Sequence, residues 1–500
     1  MTHRFIVALT GILLSLSAFT AVSAAIPLPE TALLPVVAGD PETESVPFLS
    51  MADDMAEFGY VEDEYQLSGN AVVYDYVNNA EQSPAVTAIT APVPYATRMF
   101  VRRPADMSRF NGTVYFEIIN ATRQYDSDVS WQYSDRMIMF EGAVYVGITS
   151  KSPAVNFLRD SFGKAPYTIR NADRYAGMLM TDDGHIWDML MQSGALLKSD
   201  AATDNPLAGW GVERLILTGF SQSAGYVKTF VNSFHEMAVM PDTSSIFDGY
   251  FDAGGSYASK AVNLMGGGSD SNPAGDSRNK ILLPVPAPVM RFQTETELAA
   301  WFGAQGVRQT EEESALIRTY DMAGGAHVDS YQKVFEDEQN LEELGIDPAT
   351  AICKDDPSTL NNLRTEYVHS ALMRRLDKWI AHGTLPPPSR LITMYRTEQG
   401  GLAVVRDELG VVEGGIRLAG IEVPTGVTTG VNDNLFCTLQ GSHAAFTRPE
   451  LDARYPTHAA YLQSVIFYSV QAWLDGFLLF HDGVETVLQA FFSDIGADLT

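Results

Sequence analysis

Short apolar runs rich in β-branched and aromatic residues alternate along the chain with segments of helical periodicity. The predicted strands are residues 113–120, 143–150, 214–219, 247–252, 285–294 and 316–322. The predicted helices include residues 186–197, 226–237 and 372–382. Strands that alternate with helices are typical of a mostly parallel sheet that is covered by helices. The pattern therefore predicts an α/β fold.

The N-terminus has a different pattern, with the three parts of a secretory signal peptide. A short basic start contains Arg4, an apolar stretch runs from Phe5 to Phe19, and small residues end at Ala24. Such a segment is removed during export. Residues 1–24 are therefore predicted to be a cleaved signal that places the mature protein in the periplasm or outside the cell, and a retained N-terminal anchor is the alternative. No later segment has the length and apolar character of a membrane span.

Residues 25–57 follow the signal and show neither helical nor strand periodicity over most of their length, where Pro, Ala and Glu are frequent. We predict that they form a lead-in segment that runs over the surface, and that the folded part begins near Phe58. The length of 500 residues allows one large domain with insertions or two domains.

Charge narrows the class of partner. The chain has 62 acidic and 33 basic residues, which gives a formal net charge of −29, and 46% of its residues are hydrophobic. The hydrophobic content is enough for a large core. An acidic surface repels nucleic acid and anionic lipid, so phosphate-rich partners are not expected. Composition does not indicate an oligomeric state.

Only two cysteines are present, Cys353 and Cys437, which excludes a disulfide-framework protein and a four-cysteine zinc site. In an oxidising compartment the two could pair and close a loop of 84 residues. The distance between them cannot be read from the sequence, so both the paired and the free state remain open.

The strongest chemical signal is the segment GFSQSAG, in which Ser221 stands between a predicted strand and a predicted helix. A sharp strand-to-helix turn needs small residues around a nucleophilic serine, because the serine backbone is strained and the neighbouring chain packs closely. Gly219 meets this need, and Ser223 replaces the usual second glycine. A structural turn with a buried serine, or Ser223 as the nucleophile, are the weaker interpretations.

A serine hydroxyl becomes a nucleophile when a base takes its proton and an acid orients that base. With this type of turn, the chain order is serine, acid, histidine. Glu295 and Glu297 follow the strand that ends at Thr294, and His327 lies in the small-residue loop AGGAHVD after the next strand. We therefore predict His327 as the base and either glutamate as the acid, with Glu297 favoured.

Alternatives to His327 come from later in the chain, because a long insertion could precede the catalytic histidine. They are His443, His458 and His481.

The backbone amides that would stabilise a developing oxyanion are predicted at two places. One is Gln222, at the start of the helix after the serine. The second is Ala121 or Thr122, in the loop that follows the strand TVYFEIIN. No histidine or carboxylate cluster has the spacing of a metal site, and no glycine-rich phosphate loop follows the first strand, so neither a metal nor a cofactor is expected.

Several segments, in this order, resemble a family of bacterial exported proteins called α/β hydrolase domain-containing proteins. These segments are GYVEDEYQLSG, TRMFVRRPAD, FNGTVYFEIINAT, DRYAGM, GFSQSAGY, FDGYF, RFQTETE, DMAGGAHVD, RLDKWIAHGTLPPPSR and GGIRLAGIEVPTG. The resemblance implies an α/β-hydrolase fold with Ser221 and His327 in catalytic positions and the acid at Glu295 or Glu297. It also implies that the C-terminal extension from about residue 386, with closing helices near 458–474 and 476–492, belongs to one domain of residues 58–500.

The combined signals predict an exported serine hydrolase, with a carboxylic ester as the expected substrate. Two alternatives remain open at this point. One is a binding or surface protein that keeps the scaffold without turnover, and the other is a serine hydrolase that cleaves amides or peptides. A fold hosts many chemistries, so the resemblance does not name a substrate.

Overall fold

The computed structural model describes most of the chain after the predicted signal peptide, residues 1–24, which lie outside the described residues. The described residues are 25–37, 45–51, 55–163, 173–255, 258–265, 270–301, 314–329, 353, 356–398 and 401–496.

A nine-stranded sheet forms the centre of the molecule. Its strands, with the short hairpin β3–β4 inserted, are β1 (Glu30–Leu33), β2 (Tyr60–Ala71), β3 (Tyr74–Tyr76), β4 (Val86–Ala88), β5 (Val93–Pro104), β6 (Thr113–Ile118), β7 (Val144–Ile148), β8 (Arg214–Phe220), β9 (Gly249–Ala253), β10 (Val289–Thr294) and β11 (Ile317–Met322). The order across the sheet is β1-β2-β5-β7-β6-β8-β9-β10-β11. Strands β6 to β11 pair in parallel, whereas β1, β2 and β5 pair antiparallel at one edge.

Helices flank this sheet, and two further hairpins lie near the C-terminus. The helices are α1 (Val129–Glu141), α2 (Ser152–Asp160), α3 (Ile186–Lys198), α4 (Gln222–Ser233), α5 (Thr365–His382), α6 (Ala419–Glu422), α7 (Arg448–Arg454), α8 (His458–Asp475) and α9 (Phe480–Phe491). The hairpins are β12 (Met394–Arg396) with β13 (Leu402–Val404), and β14 (Gly426–Thr429) with β15 (Ser442–Ala445). This arrangement confirms the predicted α/β fold with a mostly parallel sheet.

The six predicted strands correspond to β6 to β11, and the boundaries differ where local chemistry decides them. Strand β10 begins at Val289 rather than at Val285. Pro286 and Pro288 lack the backbone N–H that a central strand donates to its neighbour, so pairing starts only after them. Helix α4 begins at Gln222, four residues before its predicted start, because the chain turns helical directly after Ser221.

The ordered core begins earlier than the predicted boundary near Phe58. Strand β1 adds to the sheet edge, and Phe48, Leu49 and Met51 are buried in the main core. The ring of Phe48 lies 5.3 Å from that of Phe157 on α2. This short segment has too few residues to display periodicity, although its side chains complete the apolar layer.

The C-terminal extension packs onto the same molecule. Helices α8 and α9 form an antiparallel hairpin around Gly476, whose φ of 86° is the left-handed conformation that glycine adopts readily. Val465 and Ala490 on the inner side of this hairpin pack against Ala419 of α6 and against Val423, which directly follows α6. Within the described ranges, no helix combines the length and apolarity that crossing a bilayer requires.

Candidate active site

Ser221 lies at a strained turn between β8 and α4. Its φ of 59° and ψ of −118° fall outside the regions that a serine ordinarily occupies, and such strain persists only where the surroundings enforce it. The Ser221 amide donates to the carbonyl of Ala253 at 2.9 Å, which ties the turn to the end of β9. A Cβ at Gly219 would lie 2.7 Å from the Ser223 carbonyl oxygen, so this position requires glycine.

His327 contacts the Ser221 hydroxyl. Its Nε2 lies 3.0 Å from Ser221 Oγ, although 106 residues separate the two in the chain. Two buried hydroxyls hold the backbone of the histidine: Tyr133 donates to the His327 carbonyl at 3.1 Å, and the His327 amide donates to Thr296 Oγ1 at 3.1 Å. The histidine loop is therefore fixed from α1 and from the segment after β10.

Glu297 contacts the other ring nitrogen. Its Oε1 lies 2.5 Å from Nδ1 of His327, and its carboxylate is fully buried. The second oxygen, Oε2, accepts hydrogen bonds from the amide and the hydroxyl of Thr294. A serine, a histidine and a buried carboxylate thus form one hydrogen-bonded chain, the arrangement in which imidazole can remove the serine proton.

Glu295, the second acid candidate, points to other partners. One carboxylate oxygen pairs with Arg406 Nη2 at 2.7 Å, and the other accepts from the Gly324 amide at 3.1 Å. Burial raises the pKa of Glu295, and the nearby guanidinium opposes that rise. Glu297 is therefore the glutamate that contacts His327. Glu295 instead links Arg406 of the C-terminal extension to Gly324 of the histidine loop.

The three backbone amides predicted to stabilise an oxyanion, those of Gln222, Ala121 and Thr122, differ in their hydrogen bonding. Gln222 is the first residue of α4, where the helix N-terminus carries partial positive charge. Asn120 donates from Nδ2 to the Phe220 carbonyl at 3.1 Å, so the loop after β6 is held beside the serine turn. The Thr122 amide donates to Asn120 Oδ1 at 2.8 Å and is engaged there, which leaves Ala121 as the candidate donor in this loop.

A disulfide joins Cys353 to Cys437, with their Cα atoms 4.8 Å apart. Each cysteine adjoins a segment that supports the histidine loop. Asn361, eight residues after the first cysteine, donates to the Gly324 carbonyl at 2.6 Å. The carbonyl of Leu439, two residues after the second, accepts from the Val328 amide at 2.9 Å. The bond thus fastens together the two segments that flank His327 on its outer side.

Removing this disulfide should weaken both the fold and the site. In the chain-entropy model, a bond that closes a loop of this length stabilises the folded state by about 4 kcal/mol. We expect the double variant Cys353→Ser, Cys437→Ser to lose stability of that order in urea unfolding and to hydrolyse substrate more slowly. The reduced wild-type protein is the matched control and should show the same two losses. Unchanged stability would exclude a supporting role for the bond.

Lys151 is a site neighbour that sequence analysis did not single out. It is buried after β7 and donates from Nζ to the Ile119 carbonyl and to Ser223 Oγ, the latter at 2.7 Å. Burial lowers the pKa of Lys151 to about 7. The residue joins the ends of β6 and β7 to the first turn of α4. Ser223 stands where the motif usually has its second glycine, and its hydroxyl accepts the hydrogen bond from Lys151. No local pattern marks a buried lysine.

The depressed pKa of Lys151 has a consequence for stability. Between about pH 7 and the ordinary value of 10.5, the unfolded chain binds more protons at this residue than the folded one. Stability supplied through Lys151 therefore rises with pH across that window. We expect the free energy of unfolding of wild type minus that of Lys151→Met to increase from about pH 7 to about pH 10 in urea titrations. A pH-independent difference would contradict the assignment.

The remaining candidate residues, which all lie within the described ranges, do not form a metal site or a second catalytic group. In the part of the chain that the structure describes, no group of three or more histidine, cysteine, aspartate or glutamate side chains could hold a metal ion. Of the alternative histidines, His443 bonds to Thr428 Oγ1 at 2.7 Å, His458 bonds to the backbone of the last helix, and His481 lies beside Asp482.

The chain is similar to several known proteins. Solved structures that match the chain include an esterase that degrades rice cell walls from Xanthomonas oryzae (11% identity, 57% of this chain and 88% of that chain covered, TM-score 0.31). A glucuronoyl esterase from Solibacter usitatus matches at 9% identity over 57% and 71% of the two chains, with a TM-score of 0.27. An alpha-beta serine hydrolase homologue from Coxiella burnetii matches at 11% identity over 51% and 90%, with a TM-score of 0.28. No curated protein matches significantly.

The sequence itself gives the decisive match. A family model described as an alpha/beta hydrolase domain aligns with residues 26–488, which include the serine turn, both glutamates, the histidine loop and most of the C-terminal hairpin. This extent includes β1 at the edge of the sheet and the C-terminal helices. The chain therefore belongs to the alpha/beta hydrolase domain family.

Proposed function

We propose that this protein is an exported serine hydrolase that cleaves carboxylic esters through an acyl-enzyme. One observation carries the proposal: the hydrogen-bonded chain from Ser221 through His327 to Glu297, with contacts of 3.0 Å and 2.5 Å. A scaffold that had lost turnover would have no need to keep this chain or the strain at Ser221. The arrangement therefore favours catalysis over binding alone.

In the first half of the reaction, Ser221 Oγ attacks the ester carbonyl carbon while His327 Nε2 takes the hydroxyl proton. Negative charge then develops on the carbonyl oxygen, where the amides of Gln222 and Ala121 are the proposed donors. The imidazolium is stabilised by the Glu297 carboxylate. The tetrahedral intermediate collapses as His327 returns the proton to the leaving alcohol, and the acyl group stays on Ser221.

In the second half, water replaces the alcohol. His327 takes one proton from this water, whose oxygen attacks the acyl carbon, and the same amides stabilise the second oxyanion. Collapse returns the proton to Ser221 Oγ and releases the carboxylic acid. In each half His327 accepts one proton and passes it on: from Ser221 to the leaving alcohol in the first half, and from water to Ser221 in the second. The enzyme therefore ends the cycle in its starting state.

Fluorophosphonate labelling tests this proposal directly, because the reagent bonds covalently only to a serine whose proton can be removed. We expect stoichiometric labelling of the wild-type protein, with the label on the peptide that contains Ser221. Ser221→Ala should not be labelled, and Ser223→Ala is the matched control that should keep the label. A folded wild-type protein that remains unlabelled would exclude the hydrolase.

The ester class is tested with matched chromogenic substrates. Esters and anilides of the same acyl group differ only in the leaving group, so faster release from the ester supports the proposal. Faster turnover of the anilide would instead make the protein an amidase or peptidase. The net charge of −29 favours neutral over highly anionic acyl groups.

Export is supported by two features. Residues 1–24 have the pattern of a secretory signal, and the disulfide between Cys353 and Cys437 is of a kind that persists in oxidising compartments. N-terminal sequencing of protein recovered from the medium or periplasm is expected to begin after Ala24. Recovery in the cytoplasm with an intact N-terminus would contradict export.

A further inference from the structure

The outer side of the α8–α9 hairpin carries an unusual amount of exposed apolar surface. On α8 the side chains of Phe467, Val470 and Leu474 recur at the spacing of one helical face, and Phe467 and Leu474 are 61% and 63% exposed. On α9 and at its end, Phe480 and Phe492 are 68% and 79% exposed. Each helix thus has an inner face that packs on the protein and a second apolar face in solvent.

The two stripes lie side by side on one surface, which we call the hairpin face. His458, at the start of α8, bonds through its ring nitrogens to the carbonyls of Phe491 and Ile495 at the end of α9. At the other end of the hairpin, the rings of Trp473 and Phe480 are 6.0 Å apart. The helices are therefore antiparallel neighbours at both ends, and their exposed apolar side chains meet where Trp473 contacts Phe480.

This patch is large enough for a stable interface. Ten large apolar side chains between Ile466 and Phe492 are exposed by 39% or more. A fully buried large aromatic side chain covers about 150–250 Å². Roughly half of each of these ten side chains is exposed, so the hairpin face offers on the order of 1,000 Å². The largest patch on a monomeric protein is about 300–600 Å², and each partner in a standard interface contributes about 800 Å².

The acidic side chains of the hairpin are paired or buried. Three acidic side chains of the hairpin are paired with arginines of other elements, and the fourth, Asp482, is buried. The pairs are Asp475 with Arg390 at 3.6 Å, Glu485 with Arg136 at 2.9 Å, and Asp494 with Arg448 at 3.6 Å. Two copies of this surface can therefore approach each other without direct repulsion between unpaired carboxylates.

The same charges argue against a lipid surface. Helices that lie on membranes have lysines and arginines on their polar face, which attract anionic headgroups. No lysine or arginine occurs between Tyr455 and Thr500, and the chain as a whole has a net charge of −29. An apolar surface whose acidic side chains are paired or buried fits a second copy of the same chain better.

We propose that the hairpin face binds a second copy of this chain, so that the two hairpins pack as an intermolecular four-helix bundle. A two-fold arrangement uses the same patch on both subunits, as the commonest soluble dimers do. This inference is independent of the proposed function, because it uses no residue of the Ser221 site.

Sedimentation velocity of the purified protein between about 1 and 50 µM tests the dimer. Over this range of concentration, a dimer with a micromolar dissociation constant dissociates in part, whereas a tighter dimer stays intact. We expect the wild type to sediment at twice the chain mass. Leu474→Glu and Phe480→Glu, on different helices, should each raise the dissociation constant about 100-fold, because each would bury an unpaired charge. Val77→Glu is the matched control, since Val77 is 63% exposed on another part of the surface, and it should leave the dimer intact.

Three results would overturn the proposal. The wild type could sediment as a monomer over the whole range, or both glutamate variants could remain dimers. The third is a monomeric wild type that floats with phosphatidylcholine vesicles, which would assign the hairpin face to a membrane. Circular dichroism and fluorophosphonate labelling of the variants check folding, and both should match the wild type because the changed side chains are exposed on the single chain. The melting temperature should fall in the two glutamate variants, since the dimer no longer stabilises the folded chain.

Discussion

Alanine at Ser221, alanine at His327 and the double replacement are each expected to lower kcat for ester hydrolysis by about 10⁶-fold. The reason is that the two residues act as one unit. Without the base, the serine hydroxyl keeps its proton, and without the hydroxyl the base has no nucleophile to activate. The 3.0 Å contact between Nε2 and Oγ makes this dependence direct. Steady-state kinetics of the three variants with one chromogenic ester measure it.

Ser223→Ala provides the control for this set. The Ser223 hydroxyl is buried and bonds to Lys151 rather than to His327, so its loss should change kcat by less than about tenfold. Losses that multiply in the double variant would mean that Ser221 and His327 contribute independently and would contradict a shared proton transfer. An active Ser221→Ala with an inactive Ser223→Ala would show that Ser223 is the nucleophile.

The serine and the histidine could be predicted from the sequence because their signals are local. Ser221 follows an apolar strand and precedes a helix within one short segment, and His327 lies in a loop of small residues after β11. The acid could not be decided in the same way. Glu295 and Glu297 both follow β10 closely, and they differ only in their three-dimensional contacts: Glu297 contacts His327, whereas Glu295 pairs with Arg406, 111 residues later.

The antiparallel edge of the sheet was not predicted because its strands carry many charged residues. Arg98 and Arg102 on β5 are both fully buried. Arg98 pairs with Glu64 at 2.9 Å and with Asp126 at 2.7 Å, and these partners are 34 and 28 residues away in the chain. A periodicity argument treats charged positions as exposed, whereas pairing in three dimensions allows them to be buried.

The contacts of Lys151 and of the Thr122 amide could not be predicted for a related reason. Lys151 acts through the Ile119 carbonyl and the Ser223 hydroxyl, and such contacts depend on the ends of three separate elements. The Thr122 amide was a reasonable oxyanion donor from its position after β6, but the side chain of Asn120 occupies it. Local sequence indicates where a loop lies, and it does not indicate which of its donors are already bonded.

Glu297→Gln is expected to lower kcat by about 10⁴-fold, the order seen when a triad carboxylate becomes an amide. The carboxylate accepts a hydrogen bond from Nδ1 of His327, which leaves Nε2 free to take the serine proton. A glutamine amide at this position can donate to Nδ1 instead, which favours the tautomer that carries its proton on Nε2. The imidazole would then face Ser221 with a donor where it needs an acceptor. Stability should change little, because the Thr294 contacts can be kept by the amide oxygen.

Glu295→Gln is the matched comparison, since it makes the same chemical change two residues away. The chain turns helical at this point, and residues two apart on a helix face different directions, so the two glutamates diverge. Loss of the Glu295 charge weakens its pair with Arg406 and should lower the free energy of unfolding while kcat stays within about tenfold. Kinetics and urea unfolding of both variants therefore give opposite patterns: an activity loss with stability kept for Glu297, and a stability loss with activity kept for Glu295. The reverse pattern would make Glu295 the acid.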